Sequence, residues 1–105
     1  MATDEADGLP DLTDPAALDA ALEALLLVVD APARDDALAA ALDQPVARVR
    51  AALGELARRY AADGRGIDLR RVGEGWRLHT RDTYAPFVER LLLDGQRATL
   101  TRAAL

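Results

Sequence analysis

The side chains that could take part in chemistry are almost all arginines and carboxylates. The 105-residue chain has thirteen arginines, eighteen acidic residues and one histidine, and it lacks cysteine, serine, asparagine and lysine. Without cysteine or serine the commonest nucleophiles are missing. A lone histidine on a predicted strand, His79, is far more often a bystander than a base or a metal ligand. The sequence therefore predicts no enzyme activity, no cofactor and no metal site.

The charges are unevenly distributed. Residues 1–45 hold eleven acidic residues and one arginine, whereas residues 46–105 hold twelve arginines and seven acidic residues. The acidic first half disfavours a general nucleic-acid binder. The longest apolar run, Ala24–Val29, is far shorter than the ~20 residues that a bilayer requires, and the N-terminus has no signal-peptide pattern. We expect a cytoplasmic protein that does not enter a membrane.

The stretch VGEGWRLHTR, residues 72–81, concentrates arginines around the one tryptophan. Apolar and polar residues alternate on both sides of its glycines, which predicts a β-hairpin over about residues 67–80. The register that buries one face places Leu69 opposite Leu78. Trp76 and Leu78 then anchor the hairpin against the core.

The same register places the hairpin arginines. Arg71 lies opposite Trp76, where its guanidinium could stack on the indole ring. Arg70 lies opposite Arg77 on the outer face, and like charges in that position repel each other. Either solvent and nearby acidic residues screen this pair, or an anionic partner completes it. Arg70 and Arg77 are our candidates for contact with an acidic partner surface.

Four helices must position this hairpin. Apolar spacing, prolines at first helical positions and acidic first turns predict them at about residues 15–29, 35–42, 45–62 and 82–93. In the last helix, five side chains are expected to point inward, namely Tyr84, Phe87, Val88, Leu91 and Leu92. The order helix, short strand, helix, helix, hairpin and helix indicates an α+β winged helix-turn-helix fold.

The first helix is more apolar than one small domain requires. Leu26, Leu27 and Val28 widen its stripe, and the excess fits either deep burial or contact with a second subunit. We expect five residues to build the core and part of a dimer surface, namely Leu18, Leu22, Leu25, Leu26 and Val29.

The helix at 45–62 would be the reading helix of a DNA-binding protein. Only Arg48 and Arg50 stand near its start, and its arginines point in three directions rather than along one stripe. Glu55 lies four residues before Arg59, a spacing typical of a surface ion pair. Specific DNA binding is disfavoured. A winged-helix transcription regulator using Arg48, Arg50 and the hairpin is kept as the alternative function.

Composition also suggests the division of the chain. Residues 1–14 are acidic, contain glycine and proline, and are predicted to be a disordered tail. Residues 15–95 form the winged-helix domain. Residues 96–105 are predicted to be a linker and the start of a second winged-helix domain that this chain does not include.

Five stretches resemble a known family in order and spacing. They are EALLLVVDAP (23–32), AALGELARRY (51–60), RGIDLRRVGEGWRLHTR (65–81), YAPFVERLL (84–92) and LTRAAL (100–105). Together they are similar to the N-terminal part of the segregation and condensation protein B (ScpB) family, over about residues 18–105. Asp35 and Gln44 stand where that family usually has apolar residues, and Trp76 replaces a usual tyrosine.

The resemblance implies a function. It implies two tandem winged-helix domains, the second beginning near Leu100, with the first mediating homodimerisation. The second domain would carry more of the contact with the kleisin subunit ScpA, and through ScpA with SMC, in chromosome condensation and segregation at the nucleoid. No enzyme activity is implied. The expected role is therefore a non-catalytic dimerisation and scaffold module.

Overall fold

The computed structural model describes the backbone of residues 8–104 and the side chains of residues 8–95. Residues 1–7 of the predicted disordered tail lie outside the described residues. The elements are α1 (Pro15–Val28), β1 (Ala33–Arg34), α2 (Asp35–Leu42), α3 (Val46–Ala62), β2 (Ile67–Val72), β3 (Gly75–Thr80), a 3₁₀ turn (Asp82–Tyr84) and α4 (Ala85–Ala104). The three strands form one antiparallel sheet in the order β1–β3–β2. The predicted α+β winged helix-turn-helix is confirmed.

The helix starts follow the local chemistry of the sequence. Asp14 caps α1 through its side chain, and Pro15 takes the first helical position. The helix ends one residue earlier than predicted because Val29 already has an extended backbone. At the start of α3, Pro45 has a φ of −59° and a ψ of 137°, so it caps the helix and Val46 is the first helical residue.

The hairpin has the predicted register. Leu69 pairs with Leu78, Arg71 with Trp76, and Arg70 with Arg77. The turn between β2 and β3 uses a glycine with a φ of +60°, a conformation that favours glycine over other residues. The short strand β1 adds a third strand along β3 and places the start of α2 beside the hairpin.

One apolar core joins α1, α2, α3 and the hairpin. The apolar stripe of α3 is buried at Val49, Leu53, Leu56 and Tyr60, whereas Val46 lies at its exposed edge. The Tyr60 hydroxyl donates a hydrogen bond to Glu23, which links α3 to α1. The buried apolar residues are Leu18, Leu22, Leu26, Leu38, Ala39, Val49, Leu53, Leu56, Tyr60, Leu69 and Trp76.

The last helix differs from its prediction. It begins with the 3₁₀ turn and continues as α4 to Ala104 instead of ending near residue 93. No proline interrupts it, and Gly95 costs a helix only ~1 kcal/mol relative to alanine. The segment predicted to be a linker is thus helical through Ala104, and the start of a second domain there stays a prediction.

The side chains of α4 also differ from the expectation. The helix packs chiefly against the 3₁₀ turn that precedes it, not against the core. Of the five residues predicted to point inward, Tyr84, Phe87, Leu91 and Leu92 are exposed and Val88 is half-buried, so that prediction was wrong. The core is already closed by α1, α2, α3 and the hairpin, so it does not require α4 as a cover.

We predict that Gly75→Ala destabilises the fold by about 1–3 kcal/mol, the usual cost of overpacking. Gly75 opens β3, and a Cβ there would lie 2.9 Å from the carbonyl carbon and the Cβ of Pro32. Urea unfolding followed by tryptophan fluorescence measures the change. Gly66→Ala is the matched control, because a Cβ at Gly66 meets nothing within 4 Å. Equal midpoint shifts in the two variants would contradict the close packing of Pro32 on β3.

Candidate protein-interaction site

A buried carboxylate lies where β1, α3 and the hairpin meet. Asp35, the first residue of α2, is only 6% exposed. One of its oxygens accepts a hydrogen bond from the indole N–H of Trp76 at 2.5 Å, and the other accepts from Nε of Arg50 at 2.8 Å. Arg71 lies 3.7 Å from the same oxygen as Arg50. We call these four residues, Asp35, Arg50, Arg71 and Trp76, the Asp35 cluster.

The Asp35 cluster favours an ionised carboxylate. Burial alone raises the pKa of Asp35, but hydrogen bonds from Arg50 and Trp76 and the charge of Arg71 outweigh it. The net effect is a pKa below the ordinary value. Arg71 also stacks on Trp76 as predicted, with its guanidinium carbon 5.4 Å from the ring centroid. The cluster therefore binds α2, α3 and both hairpin strands together.

Both arginines of the DNA-binding alternative are engaged within the chain. Arg50 bonds Asp35, as described, and Arg48 donates to the side chain of Gln44 at 2.6 Å and to the carbonyl of Thr13 at 3.2 Å. For Arg50 to bind a base, it would have to leave a buried carboxylate, which costs more than giving up a surface ion pair. This arrangement opposes base reading by α3.

Arg70 and Arg77 lie opposite each other on the outer face of the hairpin, as predicted, but they differ in their partners. Arg70 donates to Asp68 at 3.1 Å and to Asp82 at 3.2 Å, and these bonds raise the pKa of its guanidinium. Arg77 is half-buried, and its side chain forms no hydrogen bond or ion pair with any residue of the part that the structure describes. The structure thus brings the two arginines together and leaves only Arg77 unmatched.

The predicted α1 residues have different positions. Leu18, Leu22 and Leu26 are buried in the core, whereas Leu25 and Val29 are half-buried. The exposed apolar residues of α1 are instead Leu27 and Val28, which are 78% and 76% exposed. The structure thus shows which α1 residues belong to the core. A dimer contact through α1 stays a prediction, and Leu27 and Val28 are the exposed residues that would form it.

Several of the exposed large apolar side chains in the described part of the chain lie on α4, where the sequence predicted core. Four residues, 53–71% exposed, make up what we call the α4 surface: Phe87, Leu91, Leu92 and Leu93. The guanidinium of Arg90 lies over the ring of Phe87 at 5.7 Å from its centroid. Isolated exposed apolar residues are common, but a contiguous group on one helix is typical of a contact surface.

Other kinds of site are not indicated in the described part of the chain. Among residues 8–95 no three histidine or acidic side chains are grouped so that they could hold a metal ion. Within the described residues no helix is both long and apolar enough to cross a bilayer.

The fold defines the chain as a winged helix-turn-helix protein, and the comparisons identify its family. The profile of the family described as "Segregation and condensation complex subunit ScpB" matches residues 20–105. Segregation and condensation protein B of Syntrophotalea carbinolica is 43% identical over 93 residues, which cover 88% of this chain and 46% of that protein. The chain belongs to the segregation and condensation protein B family. It spans about half the length of the curated relatives that it matches.

Solved structures agree with this assignment. The crystal structure of ScpB from Mycobacterium tuberculosis matches with a TM-score of 0.79 and 53% identity, over 83% of this chain and 54% of that one. The crystal structure of a dimer of the ScpB N-terminal domain complexed with ScpA peptide matches with a TM-score of 0.65 and 30% identity. That match covers 70% of this chain and 91% of the other.

We predict that Asp35→Asn lowers the free energy of unfolding by about 1–3 kcal/mol at pH 7, because the variant leaves buried donors without their charged acceptor. The folded-state pKa of Asp35 is lowered, so its carboxylate stabilises the fold above the unfolded-state pKa of about 3.9. That contribution is lost as the pH falls through the folded-state value. The difference between wild type and variant should therefore narrow on acidification, as measured by urea unfolding at several pH values.

Asp36→Asn is the control for this measurement. Asp36 is the next residue, but its side chain is 61% exposed and it pairs only with the exposed Arg34. We expect its substitution to change stability by less than about 0.5 kcal/mol. Equal losses in the two variants, or a difference that does not depend on pH, would contradict a stabilising role for the buried carboxylate.

Proposed function

We propose that this chain is a non-catalytic dimerisation and scaffold module of a bacterial SMC–kleisin condensin complex, acting in chromosome condensation and segregation. The observation that carries the proposal is the α4 surface, a group of large apolar side chains that the domain itself does not cover. The family description as a complex subunit supports it. So does the relative whose N-terminal domain forms a dimer and binds an ScpA peptide.

The α4 surface suits a second copy of the chain. Three residues of the α4 surface, Phe87, Leu91 and Leu92, follow one helical stripe together with the half-buried Val88. Two antiparallel copies of α4 can therefore bury the same residues in both subunits. Burying a large apolar side chain contributes about 1.5–3 kcal/mol. Because the contact is symmetric, each residue contributes twice, and a few such residues are enough for a micromolar dimer after the entropy cost of association.

The length of the related dimeric chain also supports a second copy as the partner. The match to this chain covers 91% of the related N-terminal domain, so that dimer forms in a chain hardly larger than the matched domain. Dimerisation in that relative thus does not require a following domain, which supports a second copy as the partner of this domain.

The wider assembly follows from the family resemblance. We infer a homodimer that binds the kleisin ScpA and, through ScpA, SMC, in the cytoplasm at the nucleoid. A second winged-helix domain would begin near Leu100 and carry more of the kleisin contact. Neither catalysis nor a cofactor is part of this role.

The test is sedimentation equilibrium of the chain and of Leu91→Glu. We expect wild type to be dimeric at micromolar concentrations. The variant removes one apolar contact per subunit and places a charge in the interface twice, so its dimer should be weaker by about a hundredfold or more. Circular dichroism checks that the variant remains folded, as expected for a residue that is 71% exposed.

Leu27→Glu is the matched control, since Leu27 is an equally exposed leucine on α1. It should leave the dimer unchanged. Dissociation by Leu27→Glu rather than Leu91→Glu would assign the interface to α1, as the sequence predicted, and contradict the α4 surface. A wild-type chain that stays monomeric at about 100 µM, well above the micromolar dissociation constant expected here, would contradict dimerisation by this domain.

A further inference from the structure

The outer face of the hairpin carries a charge that nothing in the described part of the chain neutralises. The register that turns Leu69 and Trp76 into the core turns the intervening residues outward. These outward residues form what we call the outer wing face: Asp68, Arg70, Arg77 and His79. Arg70 and Arg77 are directly opposite each other, an arrangement that is unfavourable unless each charge is compensated.

Every carboxylate near this face is already paired with another arginine. Asp68 bonds Arg70 and lies 3.4 Å from Arg81, and Asp82 bonds Arg70. Glu74, in the turn, pairs with Arg34 at 3.2 Å. Arg77 is therefore the cation in excess.

The two polar side chains that β3 contributes to this face both lack a partner. Arg77 is half-buried, and its charge has no counter-charge among the described residues. Nδ1 of His79 is buried and has no hydrogen bond with any described residue. The two residues are separated by two positions, or about 7 Å along a strand. An extended peptide repeats its side chains on one face at the same interval, so one acidic residue could pair with Arg77 while the next lies over the ring of His79.

We propose that the outer wing face binds an acidic segment of the kleisin subunit, with Arg77 as its central contact. The proposal rests on the proposed function, because it places the kleisin contact of this domain. A protein carboxylate fits better than a nucleic acid. Phosphate-backbone binding requires several unmatched cations, whereas the chain has a net charge of −5 and Arg48 and Arg50 are bonded internally.

The experiment measures binding of ScpA from the same genome to the full chain by isothermal titration calorimetry at near-physiological salt. R77E should weaken binding by about tenfold or more, because it turns an attraction into a repulsion in a partly desolvated contact. R77Q should weaken binding less and reduce its dependence on salt. R77E places a carboxylate opposite Arg70, which favours the hairpin, so the variant should remain folded; fluorescence of Trp76 verifies this.

R58E is the matched control, because it makes the same change in net charge on the exposed side of α3, where Arg58 pairs with Glu55. ScpA binding that is unchanged in R77E, or equally weakened in R77E and R58E, overturns the wing-face proposal and leaves the proposed function standing. Failure of the wild-type chain to bind ScpA contradicts the kleisin contact of this domain altogether. Binding of a 30-base-pair duplex that is lost in R77E would overturn the proposal in favour of nucleic acid.

Discussion

The structure depends on how the buried carboxylate of Asp35 is satisfied. A charged group with so little exposure is stable only if donors surround it. Asp35 accepts one hydrogen bond from Trp76 on β3 and one from Arg50 on α3, and Arg71 on β2 lies beside them. This requirement holds the hairpin at one position against the helix-turn-helix. It also occupies Arg50, one of the two side chains with which α3 could have read a base.

The core around Asp35 forms without any contribution from α4. The first three helices and the hairpin share one buried core, and α4 leaves along the 3₁₀ turn with its leucines exposed. The same geometry directs Arg77 away from the core on the other side of the sheet. The domain thus offers an apolar helix and a cationic sheet face, and these two surfaces suit contact with proteins.

Much of this fold can be predicted from the sequence. The hairpin register follows because alternation with a period of two residues and a glycine turn place Leu69, Trp76 and Leu78 together on the face that packs against the core. Helix starts follow from Pro15 and Pro45, whose effect is local. Even the stacking of Arg71 on Trp76 was predictable, since it depends only on the register.

The rest could not be predicted because it depends on contacts between distant residues. Asp35 reads as an ordinary acidic residue at a helix start, and its donors lie 15 and 41 positions away. One signal was available: Asp35 and Trp76 both depart from the family pattern, and they prove to be bonded to each other. Likewise, Glu55 pairs with Arg58, while Arg59 reaches Asp19 on α1. The apolar residues of α4 have the same spacing in the sequence whether they pack against a core or against a second subunit.

The central claim is that a second copy covers α4. Hydrogen–deuterium exchange at concentrations well above and well below the dimer dissociation constant tests it without any substitution. Backbone amides of residues 85–95 should exchange more slowly at the high concentration, and those of residues 24–29 should not change. Protection at residues 24–29 instead, or exchange along α4 that is independent of concentration, would contradict the account.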